Sequence, residues 1–424
     1  MSAILKALLT GRTAPGSARG IYSVCTAHPF ALRAALRQAL QHNSPLLLEA
    51  TSNQVNQFGG YTGMRPRQFR QLVLDLADTE NFPHSRIILG GDHLGPNPWR
   101  LKPAANAMKL AEEMITEYAA EGFTKLHLDA SMPCQDDPKT LPPEVIAERS
   151  ARLCAAAERA LPDPGTLLYV IGTEVPTPGG ATEHIHSLAV TSVADAGRTL
   201  EVHRLAFAAL GLEDAWQRVI AMVVQPGVEF NHESVHEYDQ EQTSALTGWL
   251  GDHQPLVFEA HSTDYQRSNA YQHLVNDGFA ILKVGPAVTF AMREAFFALA
   301  QIESELLPAE EQSRLPQTLE EAMLASPNHW KGYYHGSPEQ QRLLRTFSYS
   351  DRIRYYWTEP AVQRAAEKLI ANLSARQIPE TLLSAYLPAQ YAAVRAGSLT
   401  AAPLELILHA CQNSLKPYAQ ACFG

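Results

Sequence analysis

The segment RIILGGDHLGPNPW, residues 86–99, runs an apolar β-type stretch into two glycines, an adjacent carboxylate and imidazole, and a Gly-Pro-Asn-Pro turn. The stretch that follows, AANAMKLAEEMITEYAAEG (104–122), is apolar at i, i+3 and i+4, the spacing of a helix with one buried face. Together they read as one strand–turn–helix unit. Seven more apolar runs fit the same template: IYSVCTA (21–27), PLLLEA (45–50), KLHLDAS (125–131), LLYVIGTEV (167–175), VIAMVVQPG (219–227), PLVFEAHS (255–262) and FAILKVGPA (279–287). Each is followed by a segment of helical composition. Eight such units within about 290 residues predict a parallel sheet closed into a (β/α)8 TIM-type barrel. No G-x-G-x-x-G follows any strand, so no nucleotide cofactor is expected.

The strand runs stop near residue 300. TLEEAMLASPNHW, PEQQRLLRTF, PAVQRAAEKLIANLSA and PLELILHACQNSLKPYAQ are helical in pattern, with proline at first-turn positions. The expected organisation is a barrel over 1–300 and a helical extension over 301–424 packed on it. An aromatic cluster, SYSDRIRYYW (348–357), is expected to pack that extension against the barrel.

A formal net charge of −10 and a pI near 5.9, with no block of like charge, exclude nucleic acid as a partner. No run of 18 apolar residues offers a membrane span, and the N-terminal apolar run, broken by Lys6 and Arg12, is too short for a signal core. Five cysteines, an odd number without C-x-x-C spacing, fit reduced thiols and a cytoplasmic protein.

Side chains at the C-terminal ends of barrel strands converge on one opening, where the chemistry of this architecture sits. Here those ends carry Glu49, Asp92 with His93, Asp129, Glu174, Gln225, Glu259 with His261, and Lys283. So many carboxylates repel unless cations compensate them. Lys283 supplies one positive charge, and a divalent metal is the expected remainder. His93 and His261 are the natural nitrogen ligands, with Glu174, or alternatively Glu259, giving oxygen; two His, a carboxylate and an open position suit zinc. His127, sharing a strand face with Asp129, reads as a hydrogen-bonded core histidine. His28, in the first loop, could reach the opening. Phosphate sites in such barrels use the loops after strands seven and eight, which here offer Ser262, Thr263, Lys283 and the backbone at Gly285. Two long glycine-pair loops, NQVNQFGGYTGM (53–64) and VPTPGGA (175–181), are expected to close over a phosphorylated small molecule.

EATSNQVNQFGGYTGM, LGGDHLGPN, KLHLDASM, VIGTEVPTPGG, VVQPGVEF, FEAHSTDYQ, ILKVGPAVTFAMREA and YSDRIRYYW occur in this order. As a set they resemble the Z subunit of bacterial class II D-tagatose-1,6-bisphosphate aldolase, a family serving the galactitol and N-acetylgalactosamine pathways. The resemblance implies a non-catalytic partner that stabilises the smaller, zinc-dependent catalytic Y subunit. More distantly, the chain looks like the class II aldolases themselves: Asp92-His93 is similar to their catalytic Asp and zinc His, IGTE (171–174) to IGTAH, HSTD to HGASD, and KVGPAVT (283–289) to KVNVAT. Glu174 stands one place before the expected His, and the HSTD loop is one residue shorter. An alternative follows, a metal-dependent 4-epimerase of ketose phosphates working by retro-aldol and aldol steps. Asp92, flanked by Glu49 and Asp129, would then be the acid–base group, vestigial in a pure stabiliser and working in an epimerase.

Overall fold

The computed structural model describes residues 2–10, 19–175 and 188–424. Eight parallel strands close a barrel: β1 Ile21–Val24, β2 Leu46–Thr51, β3 Ile87–Leu94, β4 Lys125–Leu128, β5 Leu168–Ile171, β6 Val219–Val223, β7 Val257–Ala260 and β8 Phe279–Val284. Each pairs with its neighbours in the chain, and β1 pairs with β8 from Ile21↔Ile281 to Val24↔Val284. All eight expected strands are present, most of them shorter than their apolar runs. Residues 172–175 and 224–227 leave the sheet, and a small hairpin, Glu229–Phe230 against Val235–His236, follows β6. The glycine-pair stretch after Val175 lies outside the described residues.

Strand alternation divides the barrel lumen into an apolar floor and a charged mouth. Ile21, Leu47, Ile88, Leu168, Val170, Val223, Val257 and Ile281 fill the floor, and Leu5 and Leu9 of the helix Ser2–Thr10 pack against them. Two residues further along the strands, the same faces present Glu49, Lys125 and Glu259, then Asp92, His127, His261 and Lys283, all buried. The outer faces (Leu46, Leu48, Leu126, Leu128, Phe258, Leu282) belong to the main core shared with the helices.

The last helix, Pro403–Phe423, completes the ring of helices around the barrel. It packs on Pro29–Gln41, Ser268–Asn276, Pro286–Leu306 and β1. Tyr418 stacks on Tyr271 with ring centres 4.1 Å apart, and its hydroxyl lies 3.2 Å from Thr263 Oγ1. Arg37 reaches across to Glu405 at 2.6 Å. Residue 300 falls inside the helix Pro286–Leu306, and the apolar core runs unbroken from the strands into the helices beyond it.

His28 does not enter the opening. It caps the helix Pro29–Gln41, its Nδ1 accepting from Phe30 N–H at 3.2 Å, and packs edge-on to Trp357. Burial lowers its pKa, and that of His203, from 6.5 to about 4. A histidine neutral in the fold must ionise on unfolding. Its contribution is therefore complete above pH 6.5 and lost as pH falls toward 4, at most on the order of 3 kcal/mol each. The denaturation midpoint should fall across that window, and His203→Asn should flatten the fall when midpoints are measured from pH 7 to 4.

Candidate metal and acid–base site

The pairing of β3 with β4 shifts register between Gly91 and Leu94, and His93 takes a left-handed φ of 47°. That irregularity lets two successive residues, Asp92 and His93, both turn into the mouth, where plain alternation would separate them. Gly90 serves the same site. A Cβ on it would stand 2.7 Å from Glu49 Cγ, so the glycine leaves room for that side chain.

Two buried lysines tie the carboxylates together. Lys125 Nζ lies 2.7 Å from Glu49 and 2.5 Å from Glu259. Lys283 Nζ donates to Glu49 and, at 2.7 Å, to Asp92, and lies 3.3 Å from Glu259. Burial pushes Asp92 up, but His93, Lys283, His127 and His261 outweigh it and hold the carboxyl well below its ordinary value. Glu259 is likewise pushed up by burial and pulled well below by Lys125, Lys283 and His261. Burial lowers the Lys283 pKa, and the three surrounding carboxylates more than reverse that. These groups are ions.

Above them stand three imidazoles. His93, His127 and His261 have ring centres 5.3, 5.0 and 5.1 Å apart, nearly an equilateral triangle. Imidazoles bound to one tetrahedral zinc at about 2.0–2.1 Å would have ring centres about 5 Å apart. His93 Nδ1 is 2.7 Å from Asp129 Oδ2, the carboxylate support that orients a ligating histidine and leaves Nε2 for the metal. Asp129 is itself fixed by the Ser131 hydroxyl and N–H. His127 Nδ1 lies 3.1 Å from Asp92 Oδ1, while its Nε2 is buried with no hydrogen-bond partner. Burial lowers the His261 pKa to about 3, keeping that ring neutral. Asp92, His127, Glu259 and His261 each bring a ligand atom within 4.8 Å of the others, a group that His93 does not join.

The charge balance is compatible with a metal. By formal charge, four carboxylates (Glu49, Asp92, Asp129, Glu259) face two ammonium groups (Lys125, Lys283), and the difference can be met by a divalent cation or by imidazolium, His93 being raised by Asp92 and Asp129 against its burial. The donor set therefore fits a divalent metal.

Among the expected site residues, Asp92, His93, Asp129, Glu49, Glu259, His261 and Lys283 meet here. Glu174 does not join them: it is exposed, and its Oε2 accepts from Thr191 at 2.8 Å. His127 is buried and hydrogen-bonded, as expected of a core histidine, and it also belongs to the ligand-capable group, whereas His93, an expected ligand, does not. Lys125 went unrecognised, although KLHLD puts it on the same face as His127 and Asp129.

Three of the four expected phosphate-binding residues, Ser262, Lys283 and Gly285, share one cavity at the mouth. Thr263 Oγ1 donates to Lys283 O at 2.6 Å, and Lys283 Nζ serves the carboxylates. That cavity is also lined by Asn53, Gln54 and Tyr61 of the 53–64 loop and by Arg354 and Tyr355. The 348–357 cluster thus supplies cavity wall as well as packing.

A family model described as D-tagatose-1,6-bisphosphate aldolase subunit GatZ/KbaZ-like matches residues 5–423. A crystal structure described as a probable tagatose 6 phosphate kinase from Sinorhizobium meliloti 1021 is 49% identical, with a TM-score of 0.89 over 95% of this chain and 100% of that one. The YdjI aldolase from Escherichia coli K12 aligns over 88% of this chain and 98% of its own, at 12% identity and a TM-score of 0.40. Fructose-bisphosphate aldolase from Campylobacter jejuni aligns over 88% and 90%, at 15% identity and a TM-score of 0.43.

Proposed function

Since this chain belongs to the GatZ/KbaZ-like family of D-tagatose-1,6-bisphosphate aldolase subunits, we propose that it supports a catalytic partner chain and also performs metal-assisted acid–base chemistry on ketose phosphates in its own barrel mouth. Family membership favours the first role. A partner that binds only the native state of a catalytic chain stabilises it by mass action. The second role is favoured by the three-imidazole triangle with the orphaned His127 Nε2, set over a carboxylate cluster two formal charges short of balance. A stabiliser gains nothing from such a cluster, because buried ion networks seldom outperform apolar packing.

His127 and His261, with Asp92 and Glu259 in reach and His93 beside them, would hold the cation. Once bound, a divalent cation polarises the ketose carbonyl and stabilises charge developing on its oxygen. Asp92, kept ionised by Lys283 and the imidazoles, is the base for the C4 hydroxyl proton. Loss of that proton opens the C3–C4 bond. If the aldehyde fragment turns before re-addition, the product is the C4 epimer, which relates fructose to tagatose phosphates. Asp129 keeps His93 oriented, and Glu49 with Glu259 anchors the two lysines. Zinc is the metal best suited to this nitrogen-rich donor set.

The chain purified without its partner should carry about one tightly held divalent metal by elemental analysis and should interconvert the C4 epimers of a ketose phosphate. Asp92→Ala should lower turnover by roughly 10²–10⁴-fold while leaving the partner's thermal stabilisation intact. Metal-free protein without turnover would end the chemical reading. A partner equally stable with and without this chain would end the supporting one.

A further inference from the structure

The turn joining β8 to the helix Pro286–Leu306 is where a barrel of this kind would hold a phosphate. Here every backbone donor in that turn is already taken. Asp264 Oδ1 accepts from Gly285 N–H at 3.0 Å and from Ala287 N–H at 2.9 Å. Pro286 has no N–H, and Val288 N–H donates to Gly285 O at 3.2 Å. Asp264 is 3% exposed, lines the mouth cavity, and comes from the loop after β7. A carboxylate of the chain itself sits where the anion would go.

Cations are scarce in the rest of the cavity. Among its described lining residues the only lysine and arginine are Lys283 and Arg354. Lys283 is committed to Glu49 and Asp92. Arg354 donates through Nη1 to the carbonyls of Ser350 and Asp351 and through Nη2 to Tyr355 Oη, and its Nε bonds to none of the described residues. Burial lowers its pKa, but Tyr355, Tyr61 and Asp351 more than restore it, so it stays charged. One cation remains to meet one anionic group.

We propose that Asp264 is a specificity-determining residue: by filling the anion cradle it excludes a phosphate from the β7–β8 end, so the site takes a ketose with at most one phosphate and a free hydroxyl at that end. A carboxylate accepts from a sugar hydroxyl but repels a phosphate, and like-charge juxtaposition inside a cavity discriminates strongly. The proposal rests on the reading of the mouth as a ketose-phosphate site. It separates this chain's own ligand from the bisphosphate in its family's description.

Fructose 6-phosphate and fructose 1,6-bisphosphate serve as probes, titrated by calorimetry into the full-length metal-loaded chain. The monophosphate should bind at least tenfold more tightly than the bisphosphate. Asp264→Gly, which empties the cradle, should narrow or reverse that ratio. If this variant loses its native circular dichroism and cooperative melt, Asp264→Asn decides: it can still accept from both N–H groups without the charge, and the ratio should narrow several-fold. Bisphosphate binding as tight as monophosphate in the unaltered chain, or an unchanged ratio in the folded variant, overturns the assignment while leaving a ketose-phosphate site in place. Failure of both sugars to bind overturns the site itself and the assignment with it.

Discussion

Lys125→Met is expected to cost the fold about 3–5 kcal/mol, the penalty of leaving buried charges without their counter-ion. Lys125 is fully buried at the centre of the lumen and bridges Glu49 and Glu259, neither of which has access to solvent. Methionine matches its length, so the loss reports charge rather than volume. With the ammonium gone, one carboxylate must take up a proton or draw water into the barrel. Chemical denaturation should show a lower midpoint at unchanged slope. Adding Glu259→Gln should recover part of the loss, because a neutral amide costs less to bury unpaired. A change below about 1 kcal/mol would mean that the lumen is wet and the network is no energetic unit.

Removing residues 403–424 should abolish native folding outright. Leu406, Ile407, Leu408, Leu415 and Tyr418 are fully buried in that helix. At roughly 1.5–3 kcal/mol each, their burial approaches the entire net stability of an ordinary protein, about 5–15 kcal/mol. The truncated chain is expected in the insoluble fraction, or soluble without a cooperative melt. Tyr418→Phe, which removes only the hydroxyl facing Thr263, should cost about 1 kcal/mol and provides the comparison. A truncated protein that melts cooperatively would show that the helix is an ornament on a self-sufficient barrel.

The fold was legible because the apolar runs and their helical partners are local signals, repeated eight times. The expectation for the mouth held where it followed alternation. Glu49, Asp92, Glu259, His261 and Lys283 lie on inward faces or just beyond the strand ends. Glu174 is the exception, and the turn of His93 into the mouth comes from a backbone irregularity that alternation does not show. Glu174 lies past the end of β5, outside the sheet, and faces Thr191. His127 is the buried, hydrogen-bonded histidine its alternation implies, and Lys125, two residues earlier on the same face, carries the charge complementary to Glu49 and Glu259. Asp264 left no local trace. Its partners are N–H groups more than twenty residues away, and only the juxtaposition of two loops shows that the expected cradle is filled.

The placement of the final helix sets the order in which this molecule can be made. β8 ends at Val284, yet its neighbour β1 is covered by Pro403–Phe423. At about 5–20 residues per second, a ribosome needs on the order of ten seconds to span the interval. Through that time the nearly finished sheet keeps a greasy seam open to the cell. The outer coat of the barrel is therefore complete only once Pro403–Phe423 has been made and has docked.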